Sequence, residues 1–111
     1  MPGGRRDRRP ADIRREEALR PSPFLGYDRH AVAVHCIGRG AFDVAESQLR
    51  RAVWLNPYEP RFKGDLAWCL YKQGRPEEAA RWIREALRQA PADETLARVA
   101  RLIDGACQRG E

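Results

Sequence analysis

Apolar residues recur every three or four positions along two stretches of the chain, as they do on one face of a helix. The first set is Phe42, Ala45, Leu49, Ala52 and Val53. The second set is Ala79, Ile83, Ala86, Leu87 and Ala90. Several members are alanines, which let neighbouring helices approach closely. The pattern predicts two amphipathic helices that pack through small side chains.

Glycine and proline mark the ends of these predicted helices. Gly40 and Gly74 precede them, at positions that suit the left-handed residue after a helix. Pro57 and Pro91 follow them, and proline stops a helix because it lacks the backbone N–H. The chain between the stops is therefore organised as short helices joined by tight turns.

The complete pattern predicts an all-α fold with five helices. Asp93 is a candidate N-cap for the last helix, and acidic residues stand in the first turns of the second and fourth. The predicted ranges are 27–38, 42–55, 60–73, 76–89 and 94–106.

The same features return after 34 residues, so residues 26–59 align with residues 60–93 without a gap. Glycines, prolines and apolar residues all take part in the alignment. The matched pairs are Val32/Leu66, Ala33/Ala67, Gly40/Gly74, Ala45/Ala79, Leu49/Ile83, Ala52/Ala86, Val53/Leu87 and Pro57/Pro91. Eight pairs at one spacing indicate an internal repeat.

The ends of the chain differ from the repeats. Residues 1–25 are rich in Arg and Pro, and they are expected to be largely disordered or partly packed on the core. Within this arm Phe24 and Leu25, together with Tyr27, are expected to pack back on the first repeat helix. Residues 94–111 form the closing helix and a short tail.

Charge and hydropathy narrow the classes of partner. The net charge of +5 is divided between the arm, with seven Arg against four acids, and residues 26–93, with eleven bases against nine acids. This thin spread favours acidic protein partners over nucleic acid. No apolar run approaches a membrane span, and no apolar stretch follows the first arginines, so a cytoplasmic protein is expected.

Little in the sequence points to catalysis or to a cofactor. Cys36, Cys69 and Cys107 are widely spaced and suit reduced thiols, with burial favoured over metal binding for the first two. His30 and His35 have no catalytic partner at a recognisable spacing. We therefore predict a protein that is not an enzyme, with no cofactor and no metal.

The repeated positions resemble the tetratricopeptide repeat family. Residues 66–91, LAWCLYKQGRPEEAARWIREALRQAP, are similar to that family's pattern, and residues 33–57 are a looser copy. The resemblance covers residues 26–93. It departs where Arg29 and Lys63 replace an aromatic residue and where Pro76 stands in place of the aromatic that Phe42 supplies. It implies a right-handed superhelix of two helical hairpins and a capping helix.

The resemblance also implies a concave face, lined by the first helix of each repeat, that binds a partner segment. The positions it assigns to that face are Tyr27, His30, Val34, Ile37, Arg61, Gly64, Trp68, Tyr71, Lys72, Thr95, Arg98 and Leu102. Their mixture of aromatic, aliphatic and basic side chains suits a peptide or helix with apolar anchors and acidic residues. Trp54 and Trp82 are assigned to packing or to the convex side.

The function expected from these features is protein–protein interaction, as a scaffold, adaptor or assembly factor. Alternatives are a secretion-type chaperone, a small subunit of a larger complex, or a nucleic-acid or membrane-surface adaptor that acts through the Arg-rich arm. Two repeats are few for an independent stack. Either residues 11–27 complete the packing, or the chain completes itself in a homodimer or against another protein.

Overall fold

The computed structural model describes residues 21–110, and these residues contain five helices and no strand. The helices are α1 (Tyr27–Gly38), α2 (Phe42–Leu55), α3 (Pro60–Lys72), α4 (Pro76–Gln89) and α5 (Glu94–Arg109). The predicted all-α fold is confirmed. The first, second and fourth helices have the predicted bounds, the third is one residue shorter, and the last continues to Arg109 instead of ending at residue 106.

The turns and caps follow from the local sequence. Gly40 and Gly74 have φ values of 77° and 80°, in the left-handed region that glycine adopts without strain. The Asp93 carboxylate accepts a hydrogen bond from the Leu96 N–H, which confirms the predicted N-cap of α5. Gly110, with φ 76°, ends α5 in the same left-handed way. Because Gly110 lies beyond the last buried apolar residue, the apolar periodicity alone predicted an end of α5 that was too early.

Successive helices pack side by side, so the fold is a small helical solenoid. The alanines predicted to permit close approach are fully buried between the helices: Ala45, Ala52, Ala79 and Ala86. Larger buried residues fill the layers around them, among them Leu49, Leu66, Leu70 and Ile83. Each helix contacts the next one along the chain, and α3 also contacts α5.

Helix α3 lies at the centre of the stack. Seven of its thirteen residues are buried, including Lys63, whose Nζ lies 3.9 Å from Glu85 Oε1. Gly64 faces α5 so closely that a methyl group at this position would overlap the Leu96 side chain. The position of the Leu96 side chain therefore depends on a residue without a Cβ at position 64.

Four charged residues and one amide join the two hairpins. Glu46 Oε1 accepts hydrogen bonds from Gln73 Nε2 and Arg75 Nη1, each at 2.9 Å. Arg50 donates to Glu46 Oε2 at 2.9 Å and to Glu78 Oε2 at 2.6 Å, and Arg75 donates to Glu78 Oε1. Partial burial raises the pKa of Glu46, but these hydrogen bonds and positive charges outweigh it and lower the pKa. Hydrogen bonds from Arg50 and Arg75 lower the pKa of Glu78.

The short segment before α1 is held against the end of α2. The Ser22 N–H donates to the Leu55 carbonyl at 2.7 Å, and Asn56 Nδ2 donates to the Leu25 carbonyl at 3.1 Å. Leu25 is partly buried, but Phe24 is 84% exposed, so the expectation that Phe24 packs on the first helix is wrong. The rest of the predicted arm, residues 1–20, lies outside the described residues.

None of the helices in the described part of the chain is long and apolar enough to cross a membrane.

Candidate functional site

Helices α1, α3 and α5 enclose an open groove with a volume of about 490 Å³. Most of its lining is apolar, with one basic and one acidic side chain. The lining residues are Val34, Ile37, Gly64, Asp65, Trp68, Thr95, Leu96, Arg98, Val99 and Leu102. The groove therefore offers hydrophobic contact to a ligand together with a small number of polar contacts.

The groove has this shape because its three helices present residues of different size. Gly64 adds no side chain to the surface of α3, and Leu96 of α5 packs directly against it. Val34 of α1 and Leu102 of α5 are each 48% exposed. These exposed aliphatic side chains remain available for contact with another molecule.

An aromatic and basic cluster surrounds Trp68. The ring centroids of Trp68 and Tyr71 are 5.5 Å apart. Lys72 Nζ lies 5.5 Å from the Trp68 ring centroid and 5.8 Å from that of Phe42, within the range of cation–π interactions. Trp68 lines the groove and is partly exposed, so the cluster fixes the Trp68 ring while leaving part of its surface open.

Tyr27 and Arg61 share a carboxylate. The Tyr27 hydroxyl donates to Glu59 Oε1 at 2.7 Å, and Arg61 Nη2 donates to the same oxygen at 3.3 Å. The hydrogen bond to Glu59 is the main cause that raises the pKa of Tyr27. Partial burial raises the pKa of Glu59, but the contacts with Arg61 and Tyr27 outweigh it and lower the pKa. Tyr27 and Arg61 therefore already have a partner within the protein, the Glu59 carboxylate.

His30 pairs with Asp65 across the first and third helices. His30 Nε2 lies 2.7 Å from Asp65 Oδ2, and the His30 ring centroid lies 5.0 Å from that of Phe62. A smaller cavity of about 190 Å³ beside this pair is also lined by Arg61, Asp93 and Thr95. Within the described chain the His30–Asp65 contact bridges two helices that line the groove.

Arg98 is the basic residue of the groove that lacks a protein partner. Its guanidinium is exposed and forms no hydrogen bond or ion pair within residues 21–110. Asp65, the acidic lining residue, is held by His30. The charge that the groove leaves available to a ligand is therefore positive.

The structure brings some of the sequence-predicted residues together and separates others from the groove. The predicted residues that line the groove are Val34, Ile37, Gly64, Trp68, Thr95, Arg98 and Leu102. Tyr71 and Lys72 contact the Trp68 ring. Tyr27, His30 and Arg61 do not line the groove, and each is engaged with a carboxylate.

Three lining residues were missed by sequence reasoning: Asp65, Leu96 and Val99. Leu96 and Val99 belong to the apolar face of the last helix. That pattern predicts residues buried in the core and does not indicate that they also line a groove. The absence of a side chain at Gly64 was the one available signal that α3 and α5 approach each other here.

The remaining candidate chemistry does not form a site within residues 21–110. No group of three His, Cys, Asp or Glu residues there could hold a metal ion. Cys69 is buried as predicted, and burial, reinforced by Asp65 and Glu46, raises the pKa of its thiol to about 12. Cys36 is partly buried. Trp54 is 48% exposed on α2, and Trp82 packs partly buried against the core.

The comparisons with known proteins agree with this architecture. The family model for the tetratricopeptide repeat matches residues 37–103, which is more than half of the chain. A search of the curated proteins found no significant match. Tetratricopeptide repeats are non-catalytic modules that generally mediate protein–protein interactions. The repeated helical hairpins and the family match together establish that the chain belongs to the tetratricopeptide repeat family.

Proposed function

We propose that this protein binds a segment of a partner protein in the groove between α1, α3 and α5, and so acts as a scaffold, adaptor or assembly factor. The open apolar groove of about 490 Å³ carries the proposal. Such a groove accepts a short helix or an extended segment through a few buried anchors. Trp68 and the exposed aliphatic residues Val34 and Leu102 are the contacts we expect to contribute most.

The charge of the groove selects the chemistry of the partner. Asp65 is already paired with His30, whereas Arg98 has no partner within the described residues. Lys72 adds a second positive charge beside the Trp68 ring. A segment with apolar anchors and a nearby Glu or Asp would place a carboxylate against Arg98, and a Lys-rich segment would be repelled.

Binding selection with a random peptide library displayed on phage tests this proposal. Wild-type protein should enrich peptides that combine aromatic or aliphatic residues with acidic ones. Trp68→Ala should reduce retention of these peptides at least about tenfold, a loss of about 1.4 kcal/mol typical of an aromatic anchor. Trp54→Ala is the matched control, because Trp54 is an exposed tryptophan on α2 that does not line the groove.

A charge variant examines the second half of the proposal. Arg98→Glu should weaken the selected acidic peptides, whereas Arg101→Glu, an exposed change on the same helix outside the groove, should leave their affinity nearly unchanged. Equal effects of Trp68→Ala and Trp54→Ala, or enrichment of basic peptides, would refute groove binding. Circular dichroism of each variant shows whether the helices remain formed.

A further inference from the structure

The outer face of α1 is uncovered, in contrast to the matching face of α3. Val32 and Leu66 occupy the same position of their hairpins, yet Val32 is 48% exposed and Leu66 is fully buried. His35 and Cys69 differ in the same way, exposed in the first hairpin and buried in the second. The difference arises because the second hairpin has α2 in front of it, whereas no described residue covers the first.

Helix α2 also has an apolar residue that is left uncovered on this side. Glu78 of α4 contacts Arg50 of the preceding hairpin, and Val44 is the residue 34 positions earlier. Val44 is 47% exposed. The Arg29–Gln48 hydrogen bond, at 3.3 Å, sets the register of α1 and α2 so that Val32 and Val44 stand at nearly the same level of the hairpin. The uncovered face thus carries two valines side by side; we refer to it as the N-terminal face.

The 34-residue spacing also extends upstream of the two repeats. Residues 8–23 align with residues 42–57, the stretch that contains α2 and the proline after it. Ala11, Ala18, Leu19 and Pro23 stand 34 positions before Ala45, Ala52, Val53 and Pro57. Arg15 replaces the buried leucine of α2, and Pro21 stands at the position of Leu55, so the upstream copy is weaker and shorter. Its alanines, Leu19 and Pro23 still stand at the positions of their counterparts in α2 and the turn after it.

Residues 21–23, the described end of this upstream stretch, lie near the end of a helix, as the aligned residues 55–57 do. In the second hairpin, Gln89 at the end of α4 donates to the Pro57 carbonyl at 2.8 Å. In the first hairpin, the end of α2 also contacts the stretch 34 residues upstream, through a different hydrogen bond: the Leu55 carbonyl accepts from Ser22 N–H at 2.7 Å. Ser22 therefore lies beside the end of α2, as Pro57 lies beside the end of α4.

One aligned pair of residues has opposite charges on the two surfaces. Glu46 of α2 accepts a hydrogen bond from Gln73 at the end of α3. The residues 34 positions earlier are Asp12 and Arg39. Arg39 is exposed and forms no ion pair within residues 21–110. Asp12 and Arg39 thus align with the acid and the amide that meet between the two hairpins.

From these correspondences we propose that residues 8–20 of this chain dock on the N-terminal face and cover Val32 and Val44 as a third copy of α2. Ala18 and Leu19 face α1 in this arrangement, and Asp12 pairs with Arg39. The docked segment completes the stack that two hairpins leave open. It lies on a different surface from the groove, so the two proposals stand independently.

Nuclear Overhauser contacts in the full-length protein test this docking directly. The Ala18 and Leu19 methyl groups should show contacts with residues of α1, at a protein concentration where the chain is monomeric. Contacts of these methyl groups with residues that line the groove, or with no residue of α1 or α2, would overturn the proposal. Contacts of Val32 with a second copy, increasing with concentration, would assign the face to a dimer instead and would equally overturn it.

Two paired variants separate docking from a general effect of charge in the segment. Ala18→Glu with Leu19→Glu should speed amide hydrogen exchange in α1 at least about tenfold, because the face that α1 presents becomes uncovered. Arg20→Glu is the control, since it lowers the net charge by the same two units and its aligned residue, Trp54, is exposed on α2. Exchange in α4 should be the same in both variants. Equal exchange rates in α1 for the two variants would contradict docking.

Discussion

Gly26 and Gly40 share a left-handed backbone but differ in what surrounds them. Their φ values are 90° and 77°. A Cβ at Gly26 would lie 2.9 Å from Phe62 Cε2 and 3.1 Å from the Ala52 carbonyl oxygen, whereas nothing lies within 4 Å of one at Gly40. Backbone conformation is thus the only constraint at Gly40, and close packing adds to it at Gly26.

Substitution of both glycines by alanine should therefore give unequal losses. We expect Gly40→Ala to lower the free energy of unfolding by about 1 kcal/mol, the cost of a left-handed alanine. Gly26→Ala should cost about 3 kcal/mol, because overlap with Phe62 and Ala52 adds to the backbone cost. Urea denaturation of the two variants measures the difference, and equal losses would show that Gly26 is not closely packed.

Gly64 differs from Gly26 and Gly40 because it lies within a helix, and the side chain that a Cβ would meet, Leu96, can move. Gly64→Ala should gain roughly 1 kcal/mol in helix propensity and lose about the same amount as Leu96 changes its rotamer. We therefore expect nearly unchanged stability but weaker peptide binding, since Leu96 lines the groove. Gly38→Ala, where a Cβ would meet nothing within 4 Å, is the control for stability. If the Gly64→Ala variant binds the selected peptides with unchanged affinity, the position of Leu96 does not affect binding in the groove.

The cysteines should differ in reactivity because the thiolate is the reactive form. Burial raises the pKa of Cys69 to about 12, so this thiol stays protonated at neutral pH and is shielded from reagents. Iodoacetamide should modify Cys36 and Cys107, which are partly buried, before Cys69. Peptide mapping by mass spectrometry after timed alkylation measures the order, and early modification of Cys69 in folded protein would contradict its burial.

Individual helices could be predicted closely from the sequence because their signals are local. Apolar spacing, the glycine after a helix and proline in the first turn all act within one or two turns of the chain. Pro60 and Pro76 begin α3 and α4, as those signals require. The end of α5 was missed because Gly110 stands beyond the last buried position, Ala106.

The contact between hairpins depends on ionised carboxylates. Glu46 and Glu78 have folded-state pKa values below the ordinary value of 4.5, so their interactions stabilise the fold above that pH and are lost as the pH falls below it. Acidification from pH 7 to pH 3 should therefore destabilise the protein. Glu46→Gln should remove about 1–2 kcal/mol at pH 7 and should flatten this dependence.

Urea denaturation at a series of pH values measures both effects. Glu77→Gln is the control, because Glu77 is exposed in the first turn of α4 and forms no ion pair within the described residues. A Glu46→Gln variant that keeps the full pH dependence of the wild type would show that the network does not hold the hairpins together.

At the scale of the whole molecule, the groove could be predicted only in part. The positions that the family resemblance assigns to the concave face include Val34, Trp68 and Arg98, which line the groove, because helix geometry carries such positions from repeat to repeat. The partners of Tyr27 and His30 could not be foreseen. Glu59 and Asp65 reach them across 32 and 35 residues, and such pairings depend on side-chain positions that no local pattern encodes.

The groove between α1, α3 and α5 is the surface that we propose binds a partner segment. Titration of an acidic, apolar peptide selected by the wild-type protein, followed through the methyl resonances, tests it most directly. If the groove binds this peptide, Val34, Ile37, Val99 and Leu102 should shift together, and Trp68→Ala should abolish these shifts while Trp54→Ala preserves them. Shifts concentrated at Val32 or Val44, with the groove methyl groups unmoved, would contradict groove binding.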